Sequence, residues 1–127
     1  MRDIITFSIP LTIPSQNDRD KQHWRQRQRE RDDFIMAIRA KIIGHPLAFA
    51  PENGPRRHVA ITSIRRRLIT DDANLRGGAK GLVDALVHAG VIRDDDDKTV
   101  EITYEQRNSS IPLGIPAETV IAVTEEE

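Results

Sequence analysis

The chain has 127 residues and a mass of 14.4 kDa, the span of one ordinary domain and too short for two. It has no cysteine, which excludes disulfides, thiolate zinc sites and thiol nucleophiles. The net charge of -1 argues against a simple polybasic nucleic-acid binder, but residues 1–70 carry 14 Lys/Arg against 7 Asp/Glu and residues 71–127 carry 5 against 13.

Two further exclusions follow. No apolar run approaches the roughly 18–20 residues that span a bilayer, and Met1-Arg2-Asp3-Ile4-Ile5 lacks the apolar core of a signal peptide. The expectation is a soluble, cytoplasmic protein, nucleoid-associated when bound to DNA, with no membrane partner. With 38% hydrophobic and only 4% aromatic residues the core is modest, so dimerisation is a natural way to bury more surface.

Ile4-Ile5-Thr6-Phe7-Ser8-Ile9 reads as a strand that Pro10 stops. Pro10 to Asn17 reads as a loop, because two prolines fix φ and remove donors. Asp18 or Asp20 is a candidate cap for a helix starting near Lys21 and running to Gly44. Trp24, Phe34, Ile35, Ile38, Ile42 and Ile43 recur in it at helical spacing. Pro46 to Pro55 is a loop. His58 to Ile64 reads as the second strand, leading into Arg65-Arg66-Arg67. Asp71-Asp72-Ala73-Asn74 is a turn-and-cap cluster before an amphipathic helix with Leu75, Ala79, Leu82, Val83, Leu86 and Val87 on one stripe, stopped at Gly90. Asp94 to Asp97 form an acidic loop, Thr99 to Glu105 alternate like a half-buried strand, and Asn108 to Pro116 form a long loop. Val120 to Val123 make the last strand, with residues 125–127 as a frayed tail. The predicted fold is α+β: a single domain over residues 1–127, in β-α-β-α-β-β order, with a small mixed sheet and two main helices.

Chemistry concentrates where two acidic clusters bracket the second helix. Asp71 and Asp72 precede it; Asp94 to Asp97 follow it; Lys80 lies between. Clustered hard carboxylates suit Mg²⁺, which takes one or two protein carboxylates and fills its shell with water and substrate phosphate. Such a site activates water for in-line attack at phosphorus, and a lysine beside it neutralises developing charge. The same residues also read as a helix cap and a solvated turn. The helix is about 22 Å long at 1.5 Å per residue, so the two clusters meet only if the chain folds back after Gly90.

Asp71-Asp72-Ala73-Asn74-Leu75, Lys80, Asp84-Ala85-Leu86, Ala89-Gly90 and Asp94-Asp95 together resemble the RusA family of Holliday-junction resolvases. Pro14-Ser15-Gln16-Asn17 is similar to that family's Pro-Ser-x-Asn loop, and Gly77-Gly78 to a longer-turn subgroup. The specific likeness covers roughly residues 70–97. It implies an α+β fold in an intertwined homodimer and Mg²⁺-dependent paired nicking of four-way DNA junctions in recombination and repair, with Mn²⁺ as a possible substitute. Asp71 and Asp95 match the metal-binding aspartates, and Lys80 matches the catalytic lysine. One departure stands out: the second aspartate of the family's Asp-x-Asp-Asn element falls on Ala73. Asp72 is the adjacent carboxylate that would have to compensate. If it does not, the chain is a branched-DNA-binding protein with a degraded metal site.

The basic half supplies the expected DNA footprint. Arg65, Arg66 and Arg67 directly precede the acidic cluster, and Arg25 and Arg27 head the first helix, with Asn17 just upstream. Arginines bind phosphate bidentately, and such contacts are independent of sequence and sensitive to salt. Arginines at every second position from 25 to 31 cannot share one helical face. Residues 18–31 therefore read either as a flexible arm that orders on DNA or as a solvated helix face. Trp24 reads either as a stacking platform for an unpaired base or as a packing residue.

Overall fold

A computed structural model gives the structure of residues 1–110 and 112–127. Four strands form one mixed sheet in the order β1-β4-β2-β3: β1 Arg2–Ile9, β2 Arg57–Arg65, β3 Val100–Asn108 and β4 Glu118–Glu125. The β2–β3 pair is parallel; β4 pairs antiparallel with both β1 and β2. The strands alternate, and the inward set Phe7, Ile9, Val59, Ile61, Val100, Ile121 and Val123 is buried. Helices cover that face. α2 (Trp24–Ile42) packs against α4 (Lys80–Ala89), and Phe34, Ile38 and Ile42 meet Leu82 and Leu86 in the core. Each such side chain, fully buried, contributes about 1.5–3 kcal/mol of transfer free energy.

The predicted fold class holds, with local corrections. The first helical region starts earlier and is broken. Ser15 accepts from the amide of Asp18 to cap α1 (Gln16–Asp20), and His23 caps α2 in a reciprocal box with Gln26. Neither Asp18 nor Asp20 is a cap, because both lie inside the helix and the Ser15 hydroxyl, just ahead of it, reaches the amide three residues on. Residues 24–31 are regular helix, the first two turns of α2. Trp24 and Ile43 fall outside the core, 57% and 76% exposed. The predicted Pro46–Pro55 loop contains one turn of 3-10 helix, Pro46–Ala48.

The second helical region is also two helices, α3 (Asp72–Gly78) and α4, which meet at Ala79. Gly77-Gly78 explains the break: two glycines weaken the last turn of α3, and both lie under the Pro14–Gln16 loop. α4 ends at Gly90, which adopts φ 88, the left-handed stop expected there. In the predicted loop from Asn108 to Pro116, Ser110 and Ile115 pair as an isolated bridge; position 111 lies outside the described residues.

The predicted frayed tail is a correction with a clear cause. Glu125 belongs to β4 and is 4% exposed, because the equally buried Arg57 donates to it at 3.1 Å and Arg2 at 2.8 Å. Arg57 also donates to the carbonyls of Ala48, Val91 and Leu47 at 2.7–2.9 Å, tying the 3-10 turn, the exit of α4 and the end of the sheet together. Glu126 is held too, by His58 at 2.8 Å.

Candidate active site

The crossover from β2 through α3 and α4 to β3 carries every acidic candidate. Asp71 leaves the C-terminal end of β2, whereas Asp95 lies in the loop entering the N-terminal end of β3. Parallel pairing puts those two chain ends at opposite ends of the strands. The chain does fold back after Gly90, and Asp95 comes alongside α4. Lys80, Asp95, Arg76 and Tyr104 line one cavity of about 380 Å³, floored by Val83 and Ile102. Asp71 lines a second cavity of about 360 Å³ with Asn17, Asn74, Gln16 and Ala73. Lys80 and Asp95 thus line one depression and Asp71 and Asn17 another, with no lining residue in common.

Local chemistry fixes each side chain. Asp71 is the N-cap of α3, and one of its carboxylate oxygens accepts from the amide of Asn74 at 2.7 Å. Asn74 in turn accepts from the amide of Asn17 at 3.0 Å, which docks the Pro14–Asn17 loop on α3. The docking is close enough that a Cβ at Gly78 would lie 1.7 Å from the Pro14 carbonyl oxygen. Asp72, one residue on, takes the other side of the helix. Its carboxylate accepts from Arg76 at 2.6 Å, and Arg76 stacks over Tyr104 at 5.0 Å. Asp72 is therefore paired with Arg76 and does not line the Asp71 cavity.

Burial pushes the Tyr104 phenol above its ordinary range, with Asp72 adding to the rise and Arg76 opposing it. Tyr104 thus stays protonated and able to donate over the working pH range. On the other side of the cavity, Asp96 accepts from the amide of Thr99 at 2.8 Å. Hydrogen bonds from Thr99 hold the Asp96 carboxyl below its usual range and shape the turn that presents Asp95. Among the described residues no three Asp, Glu or His side chains converge on one point.

The basic candidates sort differently from their spacing. Arg65 is committed to the main chain, donating to the carbonyls of Arg67 and Ile13. Arg66 and Arg67 are exposed in the turn between β2 and α3. Arg25 lies over the Trp24 ring at 5.3 Å. Arg27 turns into a separate depression with Arg19, Arg31 and Trp24.

Sequence reasoning missed Arg76 and Tyr104. Arg76 was signalled by its spacing of four from Asp72, the distance of an ion pair along a helix. Tyr104 continues the inward series of Val100 and Ile102 on β3. No protein-family model matches the chain, and no curated protein matches it.

Proposed function

We propose that the chain is a Mg²⁺-dependent, structure-selective endodeoxyribonuclease that acts as a homodimer on four-way and other branched DNA. The observation that carries this reading is the cavity in which Lys80, 15 positions before Asp95, stands with it beside Arg76 and Tyr104. The carboxylates lining the two cavities, Asp71 in one and Asp95 in the other, are hard oxygen donors of the kind Mg²⁺ or Mn²⁺ takes. Asp71 and Asp95 are the residues that would hold the ion, and Asp72 would join them only by leaving Arg76. When bound, the ion polarises the scissile phosphate and acidifies its water.

The chain's own groups do the rest. Lys80 and Arg76 supply positive charge where the phosphate gains negative charge. Tyr104, held neutral, donates a hydrogen bond to a phosphate oxygen or to the leaving oxygen. Arg66 and Arg67 grip the backbone on the approach. In this reading Asp95→Asn cuts nicking of a synthetic four-way junction by more than about 100-fold while gel-shift affinity persists. Lys80→Ala costs about 100- to 1,000-fold in nicking rate. Absence of nicking by folded dimer across Mg²⁺ and Mn²⁺ series refutes the enzymatic claim.

A second reading, a non-catalytic branched-DNA-binding protein, is favoured by one specific feature. Position 73 faces the Asp71 cavity but carries a methyl group, and Asp72 is engaged with Arg76. Ala73→Asp separates the two readings. A large gain of cleavage marks the natural site as degraded; little change marks it as complete without that carboxylate.

A further inference from the structure

The arginines at alternate positions of α2 are distributed by helix geometry, not pooled. Trp24, Arg27 and Arg31 stand at positions i, i+3 and i+7 and share one face. Arg29 turns to a different groove, against Leu11 and Phe34. The Trp24 face looks across at α4, where Gly81 and Asp84 form the opposite wall, and α1 contributes Arg19. Together they line an open depression of about 260 Å³. Gly81 lets α4 approach α2 closely: a Cβ there would sit 2.8 Å from the Glu30 carboxylate.

Two features of this cavity are unexplained by the fold. The Nε atoms of Arg19 and Arg31 are buried without a hydrogen-bond acceptor among the described residues, as are the Oε1 atoms of Gln22 and Glu30 without a donor. Glu30 approaches Arg19 only to 4.0 Å, an ion pair but not a hydrogen bond. Those Nε atoms have no surface facing the cavity, but three guanidinium groups line it against one carboxylate, Asp84, and an anion entering it would balance that excess. The second feature is Trp24, 57% exposed at the rim; Arg25 lies over one side of its ring at 5.3 Å, so a base would take the other face. Pockets for drug-sized ligands run about 300–1,000 Å³, so this one takes a phosphate with its sugar and leaves a base outside, against the indole.

We propose that the Arg19–Arg27–Arg31 cavity with Trp24 at its rim binds one unpaired nucleotide of a DNA strand, phosphate inside and base stacked on the indole. The inference goes beyond nuclease activity and applies equally to a chain that cuts DNA and to one that only binds it. Gly81 follows Lys80 on α4, but successive helical positions point about 100° apart, so the pocket opens on a different side of α4 from Lys80.

Trp24 is the one tryptophan of the chain, so its emission reports on this site alone. The full-length protein is titrated with a short oligothymidylate, a blunt duplex and thymidine monophosphate, following tryptophan fluorescence and the anisotropy of end-labelled DNA. The oligonucleotide is expected to quench Trp24 saturably, the duplex weakly, and the mononucleotide only at far higher concentration. Trp24→Leu should weaken oligonucleotide binding about 5- to 150-fold, the range of one base–aromatic stack, with Trp24→Phe restoring most of it. Arg31→Gln should flatten the salt dependence of log affinity by about 0.7, the value for one phosphate contact on a single strand.

No oligonucleotide binding overturns the proposal. So does binding that leaves Trp24 emission unchanged, a Trp24→Leu affinity within twofold of wild type, or tighter binding of the mononucleotide. Quenching without junction nicking supports the pocket and refutes the nuclease. Nicking with a silent Trp24 does the reverse.

Discussion

Gly78→Ala tests how the Pro14–Asn17 loop is held over the candidate site. Gly78 is the last residue of α3 and is buried. On helix propensity alone the substitution gains about 0.8–1 kcal/mol. The structure reverses that sign. The new Cβ would lie 1.7 Å from the Pro14 carbonyl oxygen and 2.9 Å from the Ser15 carbonyl carbon. An ordinary carbon–oxygen contact is about 3.3–3.6 Å, so the backbone of the loop has to retreat by roughly 1.5–2 Å. Such overpacking costs about 1–3 kcal/mol. Retreat also breaks the Asn17–Asn74 hydrogen bond, worth about 0.5–1.5 kcal/mol.

The balance is a net loss of about 1–3 kcal/mol, or roughly 4–12 °C in melting temperature for a domain of this size. Urea denaturation followed by helical circular dichroism reads it directly. Gly77→Ala is the control, because its Cβ would meet chiefly Gln16 Oε1, at 1.5 Å, the end of a flexible side chain that can swing away. A Gly78→Ala protein as stable as wild type, or indistinguishable from Gly77→Ala, refutes the reasoning.

Three further outcomes are expected. Arg57→Ala leaves Glu125 buried without its inner partner and three carbonyls without a donor, so it should cost about 3–5 kcal/mol by denaturant titration. Asp71→Asn keeps an equally good helix cap but removes the carboxylate. Stability should hold while junction nicking falls; a parallel loss of both would reduce Asp71 to a cap. Glu30 is raised above its ordinary pKa by burial, against opposing contributions from Gln22 and Arg19. The folded state therefore holds this proton more tightly than the unfolded chain, and the stability gained by protonation is lost as pH rises through the folded pKa. Glu30→Gln should accordingly raise the melting temperature at neutral pH and lose that advantage below about pH 4.5; a variant less stable at pH 7 contradicts the assignment.

The strands and the long apolar stripes were legible because burial imposes a strict period on them. The alternation in β3 and the stripe from Leu82 to Leu86 survive any detail of the fold. Helix starts were less legible, since Ser15, Asp18, Asp20 and His23 are all competent caps and only the path of the loop decides among them. The pairing of Lys80 with Asp95 was anticipated only as a possibility of chain reversal, because contact across a crossover depends on how the entering loop lies on the helix. Arg57 was the hardest to read. In sequence it is one of three consecutive basic residues, Arg56-Arg57-His58, yet its strand parity turns it inward to Glu125, a partner 68 positions away. Nothing local distinguishes it from the exposed arginines.

The same parity and helical geometry dissolve the apparent simplicity of the charge split. The basic half does not form one cationic face. Arg57 is spent inside the fold, Arg65 serves the main chain, Arg25 covers an indole, and Arg19, Arg27 and Arg31 line an open depression. Arg66 and Arg67 remain exposed in the turn that leads to Asp71. The acidic half divides likewise: Asp71 caps, Asp72 pairs with Arg76, Asp96 shapes a turn, Glu125 neutralises Arg57, and Asp95 is left facing Lys80. A DNA strand crossing this surface therefore meets separated sites rather than a uniform field. On the proposed reading that arrangement favours recognition by shape, with a grip at Arg66 and Arg67, the proposed nucleotide pocket at Arg31, and the candidate reaction centre around Lys80 and Asp95.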